Sequence, residues 1–213
     1  KGNPVHDAIR HIAQQTGVDF SVDVTINRNH KITSVYAGEL FQVHRAGCGN
    51  AKRWAMRGVD RRFDVVVTTN SGYPLDQNLY QAVKGMSAAA QVVKDGGTIV
   101  CAAECSDGIP EHGLYKQILT EGDSPLEILE TICAPGYNRH DQWQAQIQAQ
   151  IQMRAKVLLK SSYLTNEQVR AAHIEPVDDI AACVSEILRK SNDARICVLP
   201  QGPQTIPFVE SKD

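Results

Sequence analysis

Four short, β-branched apolar runs constrain this chain more than any other feature. They are "FDVVVTT" from Phe63, "GGTIVCAAEC" from Gly96, "KVLLKSS" from Lys156 and "ARICVLP" from Ala194. Each is too short for a core helix and barely alternates, as expected of strands buried on both faces. Helical segments stand between them. One is expected over Asp76–Val93. A second, "SPLEILETI", starts at Ser124, with Pro125 at the first helical position and Glu127 three residues after the cap, the pattern of a capping box. The Gln-rich "RHDQWQAQIQAQIQMRA" and "PVDDIAACVSEILRK" follow, the latter with proline at its start and basic residues at its end. Strands alternating with helices predict an α/β fold: a mostly parallel sheet with helices on both faces, a Rossmann-like three-layer arrangement. Ligands of such sheets bind beyond the carboxyl ends of the strands. The loops expected there are "TTNSGYP", "AAECSDGIPEHG", "KSSYLTNEQ" and "LPQGPQT".

Residues 1–55 do not share this rhythm. Val5, Ala8, Ile9, Ile12 and Ala13 have the spacing of an amphipathic helix, with Pro4 in its first turn and Gly17 at its end. Alternating runs Phe20–Ile26 and Ile32–Ala37 flank the polar turn "NRNHK", a β-hairpin signal. A helical pattern resumes in "AGELFQVHRAGCGNAKRWAM". We read 1–55 as a linker helix and hairpin or part of a neighbouring domain, 56–200 as the α/β domain, and 201–213 as an extended arm leaving the sheet, since the tail from Pro200 on has three prolines. The chain opens on Lys1 rather than Met and reads as a piece of a longer protein or a trimmed form.

Composition narrows the function. The 213 residues are 42% apolar, enough for a core, and the net charge of −2 with mixed signs speaks against a nucleic-acid partner. No apolar run approaches the roughly 20 residues of a membrane span, and no signal peptide is visible. Six cysteines in a core-rich chain read as reduced thiols of a cytoplasmic protein rather than a disulfide framework. Cys101 and Cys105 form a C-x3-C pair, a weak metal signal without a second ligand pair.

The helix after "TTNSGYP" carries the main candidate site. Leu79, Ala82, Val83, Met86, Ala90 and Val93 form a stripe that would face the sheet. Tyr80, Gln81 and Lys84 fall within an arc of roughly 100° on the other side. They offer a hydroxyl, an amide and an ammonium to one patch of space, a set suited to a carboxylate or phosphate. Spacing alone leaves this open between a solvated helix face and the wall of a site. The preceding loop has neither the dinucleotide-binding nor the Walker A glycine pattern. Glu104, Asp107, Glu111 and His112 surround two loop glycines as acid–base or metal candidates, or as an ordinary hydrated loop. Trp143 reads as core or as a flat wall against an aromatic ligand. His140 suits the first turn of a helix. The other histidines are scattered without metal-like pairing, and no Ser-His-Asp set can be assembled.

Several segments in order, "GNPVHDAIR", "VYAGEL" then "HRAG", "DVVVTTNSGYPLDQNLYQAVKGMSAA", "GGTIVCAAECSDG", "SPLEILE", "DQWQAQ" and "VLPQGPQTIP", resemble the C-terminal portion of the nickel-dependent lactate racemase family. "SGYPLDQNLYQAVK" is the most specific of them. The resemblance implies two α/β domains with the active site between them, so that residues 1–55 would pack on an N-terminal domain. It implies a nickel-pincer pyridinium mononucleotide cofactor, with its lysine tether, its nickel-ligating histidine and the proton-transfer histidines in that N-terminal domain. The implied reaction inverts a small 2-hydroxy acid by hydride transfer to and from the cofactor. Carried over onto this chain, Gln81 and Lys84 would bind substrate, Tyr80 and Trp143 would contact the cofactor, and no residue here would be a metal ligand or proton carrier. The chain alone is expected to be inactive. The alternative is a non-catalytic α/β domain binding a small anion or nucleotide, and a third reading is a thiol site at Cys101 and Cys105.

Overall fold

The computed structural model describes residues 2–27, 29–191 and 193–210. Lys1, Arg28 of the expected hairpin turn and residues 211–213 of the expected arm lie outside the described residues. The chain divides into two compact units, Lys1–Met56 and Arg57–Asp213.

In the first unit, α1 (Pro4–Thr16) starts where Asn3 Oδ1 accepts the amides of Val5 and His6, with Pro4 at the first helical position. It ends at Gly17, whose φ of 71° suits a residue without a Cβ. Strands β1 (Ser21–Ile26) and β2 (Ile32–Gly38) pair antiparallel, Ser21 opposite Gly38. Helix α2 (Leu40–Ala55) is capped by the Glu39 carboxylate, which accepts from Phe41 and Gln42. Val43 is the one buried residue among those described in this unit. Val5, Ile9, Ile12, Phe20, Val22 and Val35 remain exposed.

The second unit carries the α/β core. In chain order it comprises β3 (Met56–Val59), β4 (Phe63–Thr69), α3 (Leu79–Ala90), β5 (Val93–Ala102), α4 (Tyr115–Glu121), α5 (Pro125–Cys133), α6 (Gln142–Arg154), β6 (Lys156–Lys160), α7 (Asn166–Ala171), β7 (Glu175–Pro176), α8 (Ile180–Lys190), β8 (Ile196–Leu199) and β9 (Ile206–Val209). The main sheet has the order β7-β6-β5-β4-β8 and is parallel throughout. Alternate residues serve opposite faces, because successive side chains of a strand point apart. Val66, Ile99, Cys101, Val157 and Leu159 join the larger core under α3 to α7. Val65, Val100 and Leu158 meet Ile180, Val184 and Ile187 of α8 on the other face. From β4 the chain steps outward to β7 and then returns to lay β8 on the other side of β4. The carboxyl ends of β4 and β8 therefore flank the point where strand order reverses, the usual place for a ligand crevice.

Several expectations shift. Helix α3 begins at Leu79 rather than Asp76, because Asn78 is the cap and its side chain accepts Gln81 N–H at 3.0 Å. It ends at Ala90, since Val93 already belongs to β5. Pro176 does not open a helix. It lies in the short edge strand β7, where a missing N–H is tolerated, and Asp179 caps α8 instead. At α5 only half of the expected capping box forms. Ser124 Oγ accepts Glu127 N–H, but the Glu127 carboxylate accepts from Asp123. The complete box is at α7, between Thr165 and Gln168. The segment after β8 does not leave as a free arm. Residues Gly202–Gln204 form a 3-10 turn, β9 pairs with β3, and Glu210 N–H donates to Val59 O at 2.9 Å.

Cys101 and Cys105 are both fully buried. Burial pushes the Cys101 thiol far up and that of Cys105 to about 12, with the Asp76 carboxylate adding to both shifts. A protonated, inaccessible thiol is a poor nucleophile or metal ligand, so these side chains act as small core residues.

Two tests follow from this packing. A Cβ at Gly85 would meet Thr69 O at 2.5 Å, whereas one at Gly49, within α2, would meet nothing within 4 Å. Gly85→Ala is expected to lower stability by about 1–3 kcal/mol in denaturant titration, and Gly49→Ala to hold or raise it. At pH 8 a thiol reagent is expected to modify exposed Cys48 and Cys133 well before Cys101 and Cys105, which react at the rate of unfolding. Equal rates for all four would contradict this core.

Candidate functional site

Three backbone segments meet at the carboxyl end of β4 and hold α3 against it. Gly85 lies on Thr69, and Gly202 lies on both, since a Cβ at Gly202 would meet Thr69 O at 2.6 Å and Gly85 Cα at 2.9 Å. The buried Thr68 hydroxyl sits 3.3–3.4 Å from the carbonyl oxygens of Gly85, Leu199 and Thr69. Asn70, also buried, accepts Gly85 N–H at 3.0 Å and donates to Leu75 O. Thr69 Oγ1 donates to Pro200 O at 2.8 Å and accepts Ser71 N–H at 2.9 Å. Ser71 and Gly72 both have positive φ, which turns the chain sharply before Tyr73. The loop is tied to its neighbour. Asp76 Oδ2 accepts Glu104 N–H, Asp76 O accepts Cys105 N–H, and Gln77 O accepts Asp107 N–H at 2.7 Å.

On this platform α3 presents its first two turns. Lys84 Nζ donates to Gln81 Oε1 at 2.5 Å, and the lysine is exposed. The Gln81 amide is therefore oriented with its N–H groups away from the ammonium, so that the pair shows donors only. Tyr80 is not a freely solvated residue of the same face. Its ring packs edge-on against buried Tyr115, centroids 5.2 Å apart, and is partly withdrawn into the core. Its hydroxyl accepts Trp143 Nε1–H at 3.1 Å, and its carbonyl accepts Gln144 Nε2–H at 2.7 Å. Trp143 is 50% exposed, which removes the core reading and leaves one indole surface open. His140 stands edge-on to that indole at 5.7 Å and pairs with the Asp141 carboxylate at 3.1 Å.

The structure thus joins Tyr80 to Trp143 and Gln81 to Lys84 on adjacent turns of one helix. It draws the other candidates elsewhere. Asp107, Glu111 and His112 line a separate surface recess with Gln77, Asn78 and Gln168, and Glu111 pairs with Lys116 at 2.7 Å. Among the described residues, no group of three or more His, Cys, Asp or Glu is placed to hold a metal ion. Sequence reasoning missed Asn70, Gln144 and Tyr115, which position the helix and its aromatic pair. The signal for Gln144 was its spacing from Gln148. The two form an i,i+4 stripe with Ala145 and Ala149 that is buried, and Gln148 accepts the Tyr115 hydroxyl.

Comparisons with known proteins agree with this architecture. Over 210 residues, 97% of the chain, it is 35% identical to the lactate racemase of Thermoanaerobacterium thermosaccharolyticum, of which the match covers 49%. It is 33% identical over 204 residues to the lactate racemase of Lactiplantibacillus plantarum, covering 94% of the chain and 47% of that protein. The chain spans about half the length of these curated relatives. The structure of the Thermoanaerobacterium lactate racemase apoprotein superposes with a TM-score of 0.90 at 33% identity, over 99% of this chain and 50% of that one. A Thermotoga maritima protein shares the fold, with a TM-score of 0.62 at 13% identity. Residues 59–206 match the lactate racemase C-terminal domain, and the chain belongs to that family.

Proposed function

We propose that this chain supplies one wall of an interdomain active site in a nickel-pincer-dependent racemase or epimerase of small 2-hydroxy acids. The observation that carries this reading is the Gln81–Lys84 donor pair set one turn from the Tyr80–Trp143 pair, beside the strand-order reversal. Lys84 binds the substrate carboxylate and Gln81 donates an amide N–H to a substrate oxygen, which orients an anion before reaction. Lys84 also stabilises that carboxylate once the hydroxyl carbon has been oxidised. The residues present fit one side of the cofactor, since a half-exposed indole offers a flat surface to a planar ring and its N–H is already satisfied by Tyr80. Tyr80 and Trp143 would hold it. When bound, the nickel-pincer pyridinium mononucleotide supplies the hydride acceptor and donor. The tether, the nickel-binding histidine and the proton-transfer histidines are assigned to an N-terminal half.

The first unit serves the same assembly. Its exposed apolar residues, Val5, Ile9 and Ile12 on α1 and Phe20, Val22 and Val35 on or beside the hairpin, form surface that water does not favour. We assign it to packing on the N-terminal half. Six free thiols, two of them exposed, support a reducing, cytoplasmic location. No described helix is long and apolar enough to cross a membrane.

In the full-length, cofactor-loaded protein, Lys84→Ala is expected to lower kcat/KM for racemisation by about 100-fold or more. Unchanged turnover would favour an α/β domain with a solvated helix face. Trp143→Ala is expected to weaken cofactor retention through dialysis by at least tenfold, and equal retention would remove that residue from the cofactor wall. Produced alone, the chain is expected to show no racemisation and to self-associate as its concentration rises. Co-production with the N-terminal half is expected to restore a single species in sedimentation.

A further inference from the structure

A groove of about 270 Å³ runs between α3 and α6, lined by Val83, Lys84, Ser87, Ala88, Gln144, Ile147 and the 202–205 turn. Resting on the function proposed above, we infer that this groove takes the substrate's side chain, and that the chain is built for 2-hydroxy acids with an aliphatic side chain longer than methyl. Helical spacing connects the groove to the site. Tyr80, Lys84 and Ala88 follow one ridge of α3 at intervals of four, and Trp143 and Ile147 follow one ridge of α6. The Tyr80–Trp143 hydrogen bond joins the two ridges one turn before Lys84 and Ile147. Lys84 forms part of the next layer, so a carboxylate on its ammonium sits at the rim of the groove. The hydroxyl carbon is one bond from that carboxylate. Its side chain can then enter the groove while its hydroxyl and hydrogen stay on the open side of the wall.

The lining sets the chemical class. Val83, Ala88, Ile147 and Pro203 are apolar. The polar side chains are largely engaged with protein. Gln144 Nε2 donates to Tyr80 O, and the Thr205 hydroxyl donates to Gln201 O at 2.9 Å. An uncharged hydrocarbon chain therefore loses little by leaving water here, and each buried methylene adds binding. A charged chain would find no counter-charge besides Lys84, already committed to the carboxylate. The groove holds far more than the methyl of lactate. Ala88, one turn below Lys84 and only partly buried, sets its width.

The test uses full-length, cofactor-loaded protein and compares kcat/KM for 2-hydroxyhexanoate with that for lactate. The unaltered protein is expected to favour the longer acid or treat the two alike. Ala88→Leu is expected to lower the ratio of longer acid to lactate tenfold or more, the range for excluding methylenes from an apolar pocket. Ile147→Ala, at a residue 38% exposed and so tolerant of change, is expected to raise the ratio for branched 2-hydroxy-4-methylpentanoate severalfold. Saturation-transfer NMR on the unloaded protein gives a readout independent of turnover: the terminal methyl of 2-hydroxyhexanoate is expected to receive the strongest transfer, and Ala88→Leu to reduce it. A protein that racemises lactate but prefers it 100-fold over the longer acid overturns this inference and leaves the proposed function standing. So do ratios unmoved in both variants with melting temperatures preserved. Turnover of neither acid by the unaltered protein overturns both.

Discussion

The meeting of Thr69, Gly85 and Gly202 is the constraint on which the rest of the site depends. Backbone at these positions approaches closer than any side chain would permit, with a Cβ at Gly85 falling 2.5 Å from Thr69 O. That contact draws α3 hard onto the end of β4 and brings the 202–205 turn over both. Its polar groups do not go unsatisfied, because Thr68 and Asn70, both buried, bond the carbonyl and amide groups that the close approach would otherwise strand. Asn78 sets where the helix starts, and this contact fixes how closely it lies on β4, and with it the positions of Tyr80, Gln81 and Lys84.

A second layer of order comes from α6. Its buried face consists of Gln144, Ala145, Gln148, Ala149 and Ile151, while Trp143 and Ile147 are exposed. Two glutamines on the buried side and a tryptophan on the exposed side depart from the ordinary pattern of an amphipathic helix. Amides line a core at low cost when they find partners: Gln144 donates to Tyr80 O, Gln148 bonds Tyr115 and Ala172 O, and Gln152 Nε2 donates to Ala172 O and His173 O, although Gln152 Oε1 is buried without a partner. The arrangement releases an indole to the surface and ties it to α3 through Tyr80. This one helix thus carries both the exposed indole and Ile147 of the groove lining.

The division of labour between the two units follows from burial. The second unit buries a full α/β core on both faces of its sheet. The first leaves its apolar positions largely in solvent, and in the reading proposed above an N-terminal half covers them. In the same reading the Gln81–Lys84 pair acts only when a reacting group faces it. Both features fit the proposed reading, as does a chain that spans about half the length of its curated relatives.

Strand patterning alone made the parallel sheet, its two helical layers and the N-terminal helix and hairpin legible, because β-branched runs and period changes are local signals. Helix ends were legible where a single residue decides them, as at Pro4, Gly17 and Ser124. The order of strands, the reversal beside β4 and the return of β9 to β3 were not, since they depend on contacts between residues far apart in the chain. Pro176 illustrates the limit: proline opens helices and occupies edge strands equally well, and only its place at the sheet edge chose between them. Helical spacing determined that Tyr80, Gln81 and Lys84 share a region of α3. Tertiary structure decided that Tyr80 turns toward Tyr115 and Trp143 while Gln81 and Lys84 pair with each other, because the core accepted one aromatic ring and left the polar pair at the surface.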